Sequence, residues 1–192
     1  MYRSDCKKRR FAYSGVRGFP NRQEKGKKMD REEYMRAALA LAQRAGQEGE
    51  VPVGCVIVCG GEIVGRGWNR REQTQNALEH AEMMALAEAC RTLGRWRLSD
   101  CRLFVTLEPC PMCAGAILNA RVGEVCYGAS DPEYGACGGV INLFEEAFRH
   151  RPRLYGGVLA QDCAALLRNF FEDLRAGGKK GAENSGITDG RL

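Results

Sequence analysis

The stretch His80-Ala81-Glu82, followed further along the chain by Pro109-Cys110-Pro111-Met112-Cys113, is the most informative part of this sequence for its fold. It supplies an imidazole and two thiols, from His80, Cys110 and Cys113, and these are ligand types that zinc prefers. A structural zinc site is closed by four protein ligands, whereas a catalytic site keeps one position open. The motif therefore predicts a zinc centre with an open position, and it leaves Glu82 as a carboxylate that need not bind the metal.

The spacing of these residues predicts where each one lies. Cys110 and Cys113 are three residues apart, so they project from the same face of a helical turn, and proline is tolerated where a helix begins. His80 and Glu82 are two residues apart and converge only at the start of a helix. We therefore expect two helix N-termini to face one metal ion, where the helix dipoles lower the pKa of a thiol.

Glu82 is the predicted catalytic residue. Bound zinc lowers the pKa of water to about 7, and a carboxylate within hydrogen-bond reach can carry the released proton to a ring nitrogen and then to a leaving amine. Each such transfer is typically worth ~10²–10⁴ in rate. The alternative is a structural zinc ribbon, which needs a second Cys-x-x-Cys, and the sequence contains none.

The hydrophobic pattern predicts alternating strands and helices. Strands are expected at residues 53–58, 63–68, 103–107, 122–127 and 154–158. Helices are expected from Asp30 to about Ala45, with an Asp-x-x-Glu capping box, and at residues 81–93, 112–120, 141–148 and 160–174. A glycine-rich loop is expected at residues 128–139. Five strands interleaved with helices predict a mixed sheet covered by helices on both faces.

Charge is distributed unevenly along the 192 residues. Residues 1–28 contain ten Lys or Arg and two acidic residues, a net charge of +8, whereas residues 29–175 carry −4 and residues 176–192 carry +1. We expect a basic disordered arm (1–28), one folded domain (29–175) and a disordered tail (176–192). The arm could bind RNA phosphates, could be an organelle transit peptide, or could precede a true start at Met29, and the last interpretation is favoured.

Cysteine usage and hydropathy limit the class of protein. The ten cysteines are scattered through apolar segments, which fits buried free thiols better than a disulfide framework. No apolar stretch is long enough for a membrane span. These features predict a cytoplasmic protein with one metal site and no membrane partner.

The body of the chain, from about Met29 to Arg175, resembles the bacterial tRNA-specific adenosine deaminases. The resemblance covers the zinc motif at residues 80–86 and 106–116, and four further segments: Glu50-Val51-Pro52-Val53-Gly54, Gly67-Trp68-Asn69-Arg70, Gly135-Ala136-Cys137-Gly138 and Asp162-Cys163-Ala164-Ala165-Leu166-Leu167. It implies a cytidine-deaminase-like α/β fold, a three-layer α/β/α sandwich with a mixed five-stranded sheet. It also implies one Zn²⁺ per subunit.

The resemblance further implies a function and two substrate-binding residues. The family forms homodimers that convert adenosine to inosine at the wobble position of a tRNA anticodon stem-loop, chiefly in an arginine tRNA. Asn69 corresponds to the family's base-contacting Asn, and Asp131 to the Asp that contacts the target nucleotide region after the fourth strand. From residue type alone, Asn69 and Asp131-Pro132 are equally typical of turns.

Some features depart from the family or remain open. After Asp131-Pro132 the family often has Lys, whereas this chain has Glu133-Tyr134; an acid there would repel phosphate, and Tyr134 could stack on a base. Gly139 stands where Ser is common in the family. Three arginines could contact phosphate or form a solvated basic loop: Arg149, Arg151 and Arg153. Phe170 and Phe171 could pack in the core or stack on a base.

Two other functions compete with wobble deamination. A free-base or nucleoside deaminase, acting on guanine or cytosine for example, would share the zinc motif. A non-catalytic zinc-containing RNA-binding subunit is the other alternative, and it would have no use for Glu82.

Overall fold

A computed structural model describes residues 29–184, with side chains as far as residue 176. The predicted arm at residues 1–28 lies outside the described residues. The strands are β1 (Gly54–Cys59), β2 (Glu62–Trp68), β3 (Cys101–Leu107), β4 (Glu124–Ala129) and β5 (Arg153–Tyr155). The helices are α1 (Arg31–Gln47), α2 (Arg71–Thr74), α3 (Ala81–Leu93), α4 (Pro111–Ala120) and α5 (Ala160–Asn184).

The five strands form one mixed sheet in the order β2-β1-β3-β4-β5. β1 pairs antiparallel with both β2 and β3, whereas the β3–β4 and β4–β5 pairs are parallel. Because β3 and β4 run in the same direction, the loops that follow them emerge at the same edge of the sheet. That edge carries the cysteine motif after β3 and the Asp131 loop after β4.

Helices cover both faces of this sheet, which confirms the predicted three-layer sandwich. On one face the buried side chains of β1, β3 and β4 pack against α3 and α4, with Ala81, Ala85 and Ile117 fully buried. On the other face α1 and α5 pack through Tyr34 and Cys163. The hydrophobic core is thus split into two layers by the sheet.

The first helix begins where the sequence predicts. The Asp30 side chain accepts a hydrogen bond from the Glu33 amide (2.9 Å), and the Glu33 carboxylate accepts one from the Asp30 amide (2.8 Å). These two bonds complete the capping box. Tyr34 and Met35, which follow at once, are fully buried against the sheet.

Two glycines let helices lie directly on the strands. A Cβ at Gly54 in β1 would clash with the Ala38 carbonyl oxygen of α1, and one at Gly67 in β2 would clash with the Ala81 carbonyl oxygen of α3. The absence of a side chain at Gly67 therefore sets the distance between β2 and the first turn of α3. This turn carries the residues of the predicted metal site.

The predicted helix at residues 141–148 is wrong, because that segment consists of turns and bends. Its backbone bonds to the preceding loop: the Leu143 amide donates to the Ala136 carbonyl (2.9 Å), and the Gly138 amide donates to the Ile141 carbonyl (2.9 Å). Phe144 is buried at 4% exposure. The apolar spacing that resembled a helix thus reflects a loop that folds back onto the core.

The closing helix is longer than predicted. α5 continues past Leu174 to Asn184, so the first part of the predicted disordered tail is helical, and residues 185–192 lie outside the described residues. The added segment mixes Lys, Ala and Glu with three glycines, so helix propensity does not explain the extension. Within residues 29–184, none of the helices combines the length and apolar character that a membrane span requires.

Candidate active site

Two helix N-termini converge at the edge of the sheet, as the motif spacing predicts. His80 is the N-cap residue of α3, and Glu82 lies in the first turn of that helix. Cys110 is the N-cap residue of α4, Pro111 occupies the first turn, and Cys113 follows within it. Neither N-cap side chain makes a capping hydrogen bond at the start of its helix. The His80 imidazole and the Cys110 thiol are therefore available to bind the same ion.

The three donor atoms have the separations that a zinc ion requires. His80 Nδ1 lies 3.8 Å from Cys110 Sγ and 3.6 Å from Cys113 Sγ, and all three atoms lie within 4.8 Å of one another. Tetrahedral zinc with Zn–S near 2.3 Å and Zn–N near 2.0–2.1 Å places nitrogen and sulfur about 3.6 Å apart. The donor set therefore fits zinc with three protein ligands.

The ionisation of the two thiols differs. A hydrogen bond from the Cys113 thiol, supported by one from His80, lowers the pKa of Cys110 to about 4. The hydrogen bond with Cys110, together with burial, raises the pKa of Cys113. The hydrogen bond with Cys110 raises the pKa of His80 against the effect of burial. The pocket thus stabilises at least one thiolate, the form that binds a metal.

Glu82 is the buried carboxylate beside these donors. It is only 4% exposed, and burial raises its pKa to about 7, with the negative charge of Cys110 adding to the increase. A group that acts as acid and base in turn works best when its pKa lies near the working pH. The environment of Glu82 is therefore suited to proton transfer near neutral pH.

A cleft of about 630 Å³ opens above this group of residues. His80, Glu82 and Cys110 lie in it together with both predicted substrate-binding residues, Asn69 and Asp131. The remaining wall contains Arg71, Pro132, Glu133, Tyr134, Leu167 and Phe171. The volume falls within the usual range for small-molecule sites, and a nucleotide is of this size class.

Asn69 holds the start of α3. Its side-chain oxygen accepts a hydrogen bond from the Ala81 amide (3.0 Å), and its side-chain amide donates to the Val51 carbonyl (3.2 Å). The Ala81 amide is one of the N–H groups that a helix start leaves without an internal partner. Asn69 thus supplies the cap that His80 does not, and it fixes the turn that carries His80 and Glu82.

Asp131 and Glu108 shape the opposite wall. Asp131 Oδ1 accepts hydrogen bonds from the amides of Glu133 (2.9 Å) and Tyr134 (3.0 Å), which is the turn chemistry expected from the sequence. Glu108 is 2% exposed and accepts from the amides of Asp131, Cys137 and Gly139 at 2.8–3.0 Å. One buried carboxylate therefore fixes the whole loop from residue 131 to residue 139.

Sequence reasoning did not single out Glu108 or Arg71. Glu108 adjoins the cysteine motif, but its three partners are distant in sequence. Arg71 begins α2, a four-residue helix with no buried residue. This helix therefore has no hydrophobic pattern from which it could be predicted. The sequence did offer two weak signals: Glu108 lies within the family segment 106–116, and Arg71 directly follows the segment 67–70.

Position decides between the alternatives for Phe171 and for Arg153. Phe171 lies in the cleft and is 42% exposed, so it is not a core residue. Arg153 lies at the opposite end of the sheet, at the start of β5, and pairs with Glu124 at 3.4 Å. Arg153 therefore belongs to a structural ion pair and not to the cleft.

A mixed sheet that presents one imidazole, two thiols and a buried carboxylate at two helix N-termini defines a zinc-dependent deaminase class of protein. Residues 28–129 match the family model described as the cytidine and deoxycytidylate deaminase zinc-binding region. The chain belongs to this cytidine and deoxycytidylate deaminase family. The family assignment and the donor geometry together confirm the prediction of a zinc cofactor.

Several known proteins are similar to the chain over most of its length. A tRNA-specific adenosine deaminase of Bacillus subtilis (strain 168) is 47% identical over 152 residues, which cover 79% of this chain and 94% of that protein. A solved structure from a study of A-to-I editing at the wobble position of transfer RNA is 39% identical, with a TM-score of 0.69. The match covers 71% of this chain and all of that structure. A guanine deaminase structure from Bacillus subtilis is 28% identical, with a TM-score of 0.52, and the match covers 85% of this chain and all of that structure.

Proposed function

We propose that this protein catalyses the hydrolytic deamination of adenosine to inosine at the wobble position of a tRNA anticodon, with an arginine tRNA as its expected substrate. The observation that carries the proposal is the cleft in which the zinc donor set, a buried carboxylate with a pKa of about 7 and the Asp131 loop meet. The 47% identity to a tRNA-specific adenosine deaminase, along 94% of that protein, supports this substrate class over others.

In this proposal His80, Cys110 and Cys113 hold one Zn²⁺ per subunit. When bound, zinc supplies the Lewis acidity that lowers the pKa of water to about 7. Glu82 takes one proton from the attacking water and passes it to the adenine ring nitrogen; it then takes the second proton from the same oxygen and delivers it to the amino group, which leaves as ammonia. At 4% exposure the Glu82 carboxylate has little contact with bulk water that could compete for that proton.

Asn69 and Asp131 are the proposed substrate-binding residues. The Asn69 amide has two N–H groups, and since one is donated to Val51, the second is the group we assign to the base. Both hydrogen bonds to the Asp131 carboxylate end on Oδ1, so Oδ2 is the oxygen we assign to the target nucleotide. Both side chains are already held in place before substrate binds.

An RNA loop suits this cleft. A loop nucleotide is already partly unstacked, so turning it into a pocket costs less free energy than it does in a duplex. Tyr134 is 66% exposed and Phe171 is 42% exposed, which gives two ring faces for bases that flank the target. We propose that the enzyme acts as a homodimer in the cytoplasm, where it meets the tRNA anticodon stem-loop.

The substrate class is tested by comparing kcat/KM for an anticodon stem-loop that bears adenosine at the wobble position with kcat/KM for free adenosine, cytidine and guanine. The proposal predicts turnover of the stem-loop with at least a 10³-fold preference over each small substrate, since remote contacts supply most of the binding. Preferred turnover of guanine would overturn the RNA assignment and keep the zinc chemistry.

A further inference from the structure

Cys59 and Cys101 lie opposite each other at the end of the antiparallel β1–β3 pair. Opposed residues in such a pair have Cα atoms about 4.5–5.5 Å apart, and disulfides span Cα separations of about 4.4–6.8 Å. The two side chains meet in the core layer beneath α3, and their sulfur atoms lie within 4.8 Å of each other. Both are free thiols. The pair therefore meets the geometric requirement for a disulfide without a shift of the backbone.

The two thiols differ in access. Cys59 is half-buried, whereas Cys101 is 1% exposed. Burial raises the pKa of Cys101 to about 12, so Cys101 is not the thiol that first meets a reagent. The Cys59 sulfur also lies next to exposed polar groups, 3.7 Å from Arg95 Nη2 and 3.6 Å from Asp100 Oδ2, so a reagent can reach it from solvent. Cys59 is thus the thiol that attacks the reagent, and Cys101 is the resolving thiol.

A metal ion is the competing occupant, because Asp100 completes a group of three possible ligands with the two cysteines. Arg95, however, donates to both carboxylate oxygens of Asp100, at 2.6 and 2.8 Å. The guanidinium therefore already places a positive charge beside the position that a cation would take. This arrangement favours reaction between the two thiols over coordination.

We propose that Cys59 and Cys101 form a dithiol modification site, which a low-molecular-weight disulfide such as glutathione disulfide converts into an intrachain disulfide. The Cys59 thiolate attacks one glutathione sulfur, which forms a mixed disulfide and releases one glutathione thiolate. Cys101 then loses its proton to water and attacks the Cys59 sulfur, which releases the second glutathione. Two protein thiols are oxidised, and one glutathione disulfide is reduced to two thiols.

The bond would enclose the segment that carries half of the active site. Residues 60–100 include β2, α2 and α3, with His80 and Glu82 at the start of α3. A cross-link restricts the unfolded chain more strongly as the enclosed loop becomes longer. We therefore expect the disulfide to raise the Tm by ~5–10 °C.

The experiment uses the zinc-loaded full-length protein, so that zinc protects Cys110 and Cys113. The protein is incubated with glutathione disulfide, its remaining thiols are alkylated, and it is cleaved after Arg. Cys59 then lies in the peptide 45–66 and Cys101 in the peptide 98–102, which mass spectrometry resolves, and fragmentation distinguishes Cys59 from Cys55. The expected result is a linked pair of these peptides, with a matching rise in Tm.

Two single substitutions provide the controls. Cys101→Ser is expected to leave a lasting glutathione adduct on Cys59 and no linked peptide. Cys90→Ser, which removes another half-buried thiol, is expected to leave the cross-link unchanged. If Cys101→Ser does not fold, the wild-type peptide map still decides the matter.

Two outcomes would overturn the assignment. The first is a wild-type map in which glutathione remains on Cys59 without a linked peptide. The other is binding of an additional equivalent of Zn²⁺ that protects both cysteines of the wild-type protein from alkylation. If Cys101→Ser loses this additional zinc, the three residues form a metal site.

Discussion

Glu82 differs from the other acidic residues of the cleft in its surroundings. It lies in the first turn of α3, is 4% exposed, and has its pKa raised to about 7 by burial. Asp131, by contrast, is partly exposed and accepts two backbone hydrogen bonds. Two carboxylates in unlike environments are suited to unlike tasks. We assign proton transfer to Glu82 and substrate contact to Asp131.

Replacing Glu82 with Gln is expected to lower kcat by at least ~10³-fold, because the amide cannot carry a proton between water, ring and leaving group. Zinc content and Tm should stay close to the wild-type values, since the shape of the side chain is preserved. Metal analysis and single-turnover inosine formation check this together. Full activity in a zinc-replete Glu82→Gln protein would remove Glu82 from the mechanism.

Tyr134 is an exposed ring on the rim of the cleft, with 66% of its surface accessible. Tyr134→Ala is expected to raise KM for an anticodon stem-loop by about 5-fold to 100-fold, since stacking on a base contributes about 1–3 kcal/mol. Tyr134→Phe, which keeps the ring, should stay within about 2-fold of wild type. An unchanged KM for Tyr134→Ala would show that the ring does not contact RNA.

Single residues were predictable from sequence where local spacing determines their position. His80, Cys110 and Cys113 meet because each lies at or near a helix start, and those starts follow from the spacing of the motif. The role of Glu108 was not predictable, because its three amide partners lie between residues 131 and 139 and only the fold brings them together. Long-range hydrogen bonds of this kind leave no periodic signal in a sequence.

At the scale of helices and strands, the packing of α3 on β2 positions the active site. Gly67 allows this approach, and Asn69 caps the first turn from outside the helix. The strands and helices with strong apolar patterns were predicted to within a few residues, as α3 at residues 81–93 illustrates. The segment 141–148 was misassigned because its pairing with residues 136–138 outweighs its local preference for a helix.

Gly67→Ala is expected to destabilise the fold by about 1–3 kcal/mol, because the new methyl group would meet the backbone of α3 and push its first turn outwards. Zinc affinity should fall with it, since His80 lies at that turn. Thermal unfolding and a zinc competition assay provide the two measurements.

The matched control is Gly115→Ala in α4, where a Cβ has no atom within 4 Å. Removing a glycine from a helix interior should stabilise by about 0.5–1 kcal/mol. Equal Tm values for both variants would contradict the close packing of β2 and α3.

At the scale of the whole chain, the folded body and the N-terminal arm have opposite charge. Residues 29–175 carry a net charge of −4 and residues 1–28 carry +8. Under the proposed function, RNA binding by the body depends on local groups such as Arg71, Tyr134 and Phe171, and not on net charge. The domain limits remain predictions from composition.

A protein that begins at Met29 is expected to retain zinc content, Tm and kcat/KM within about 2-fold of the full chain, because all the residues assigned to catalysis lie in the body. Kinetics at two salt concentrations check this. A KM that rises more than about 10-fold, together with a weaker salt dependence, would show that the arm contacts phosphates.

The central claim is tested most directly by locating inosine in an arginine tRNA with an A-starting anticodon after incubation with the zinc-loaded protein. Sequencing of the product reports both the reaction and the position. The account predicts inosine at the wobble position alone, in amounts that depend on zinc. Absence of inosine, or inosine spread over other adenosines, would contradict it.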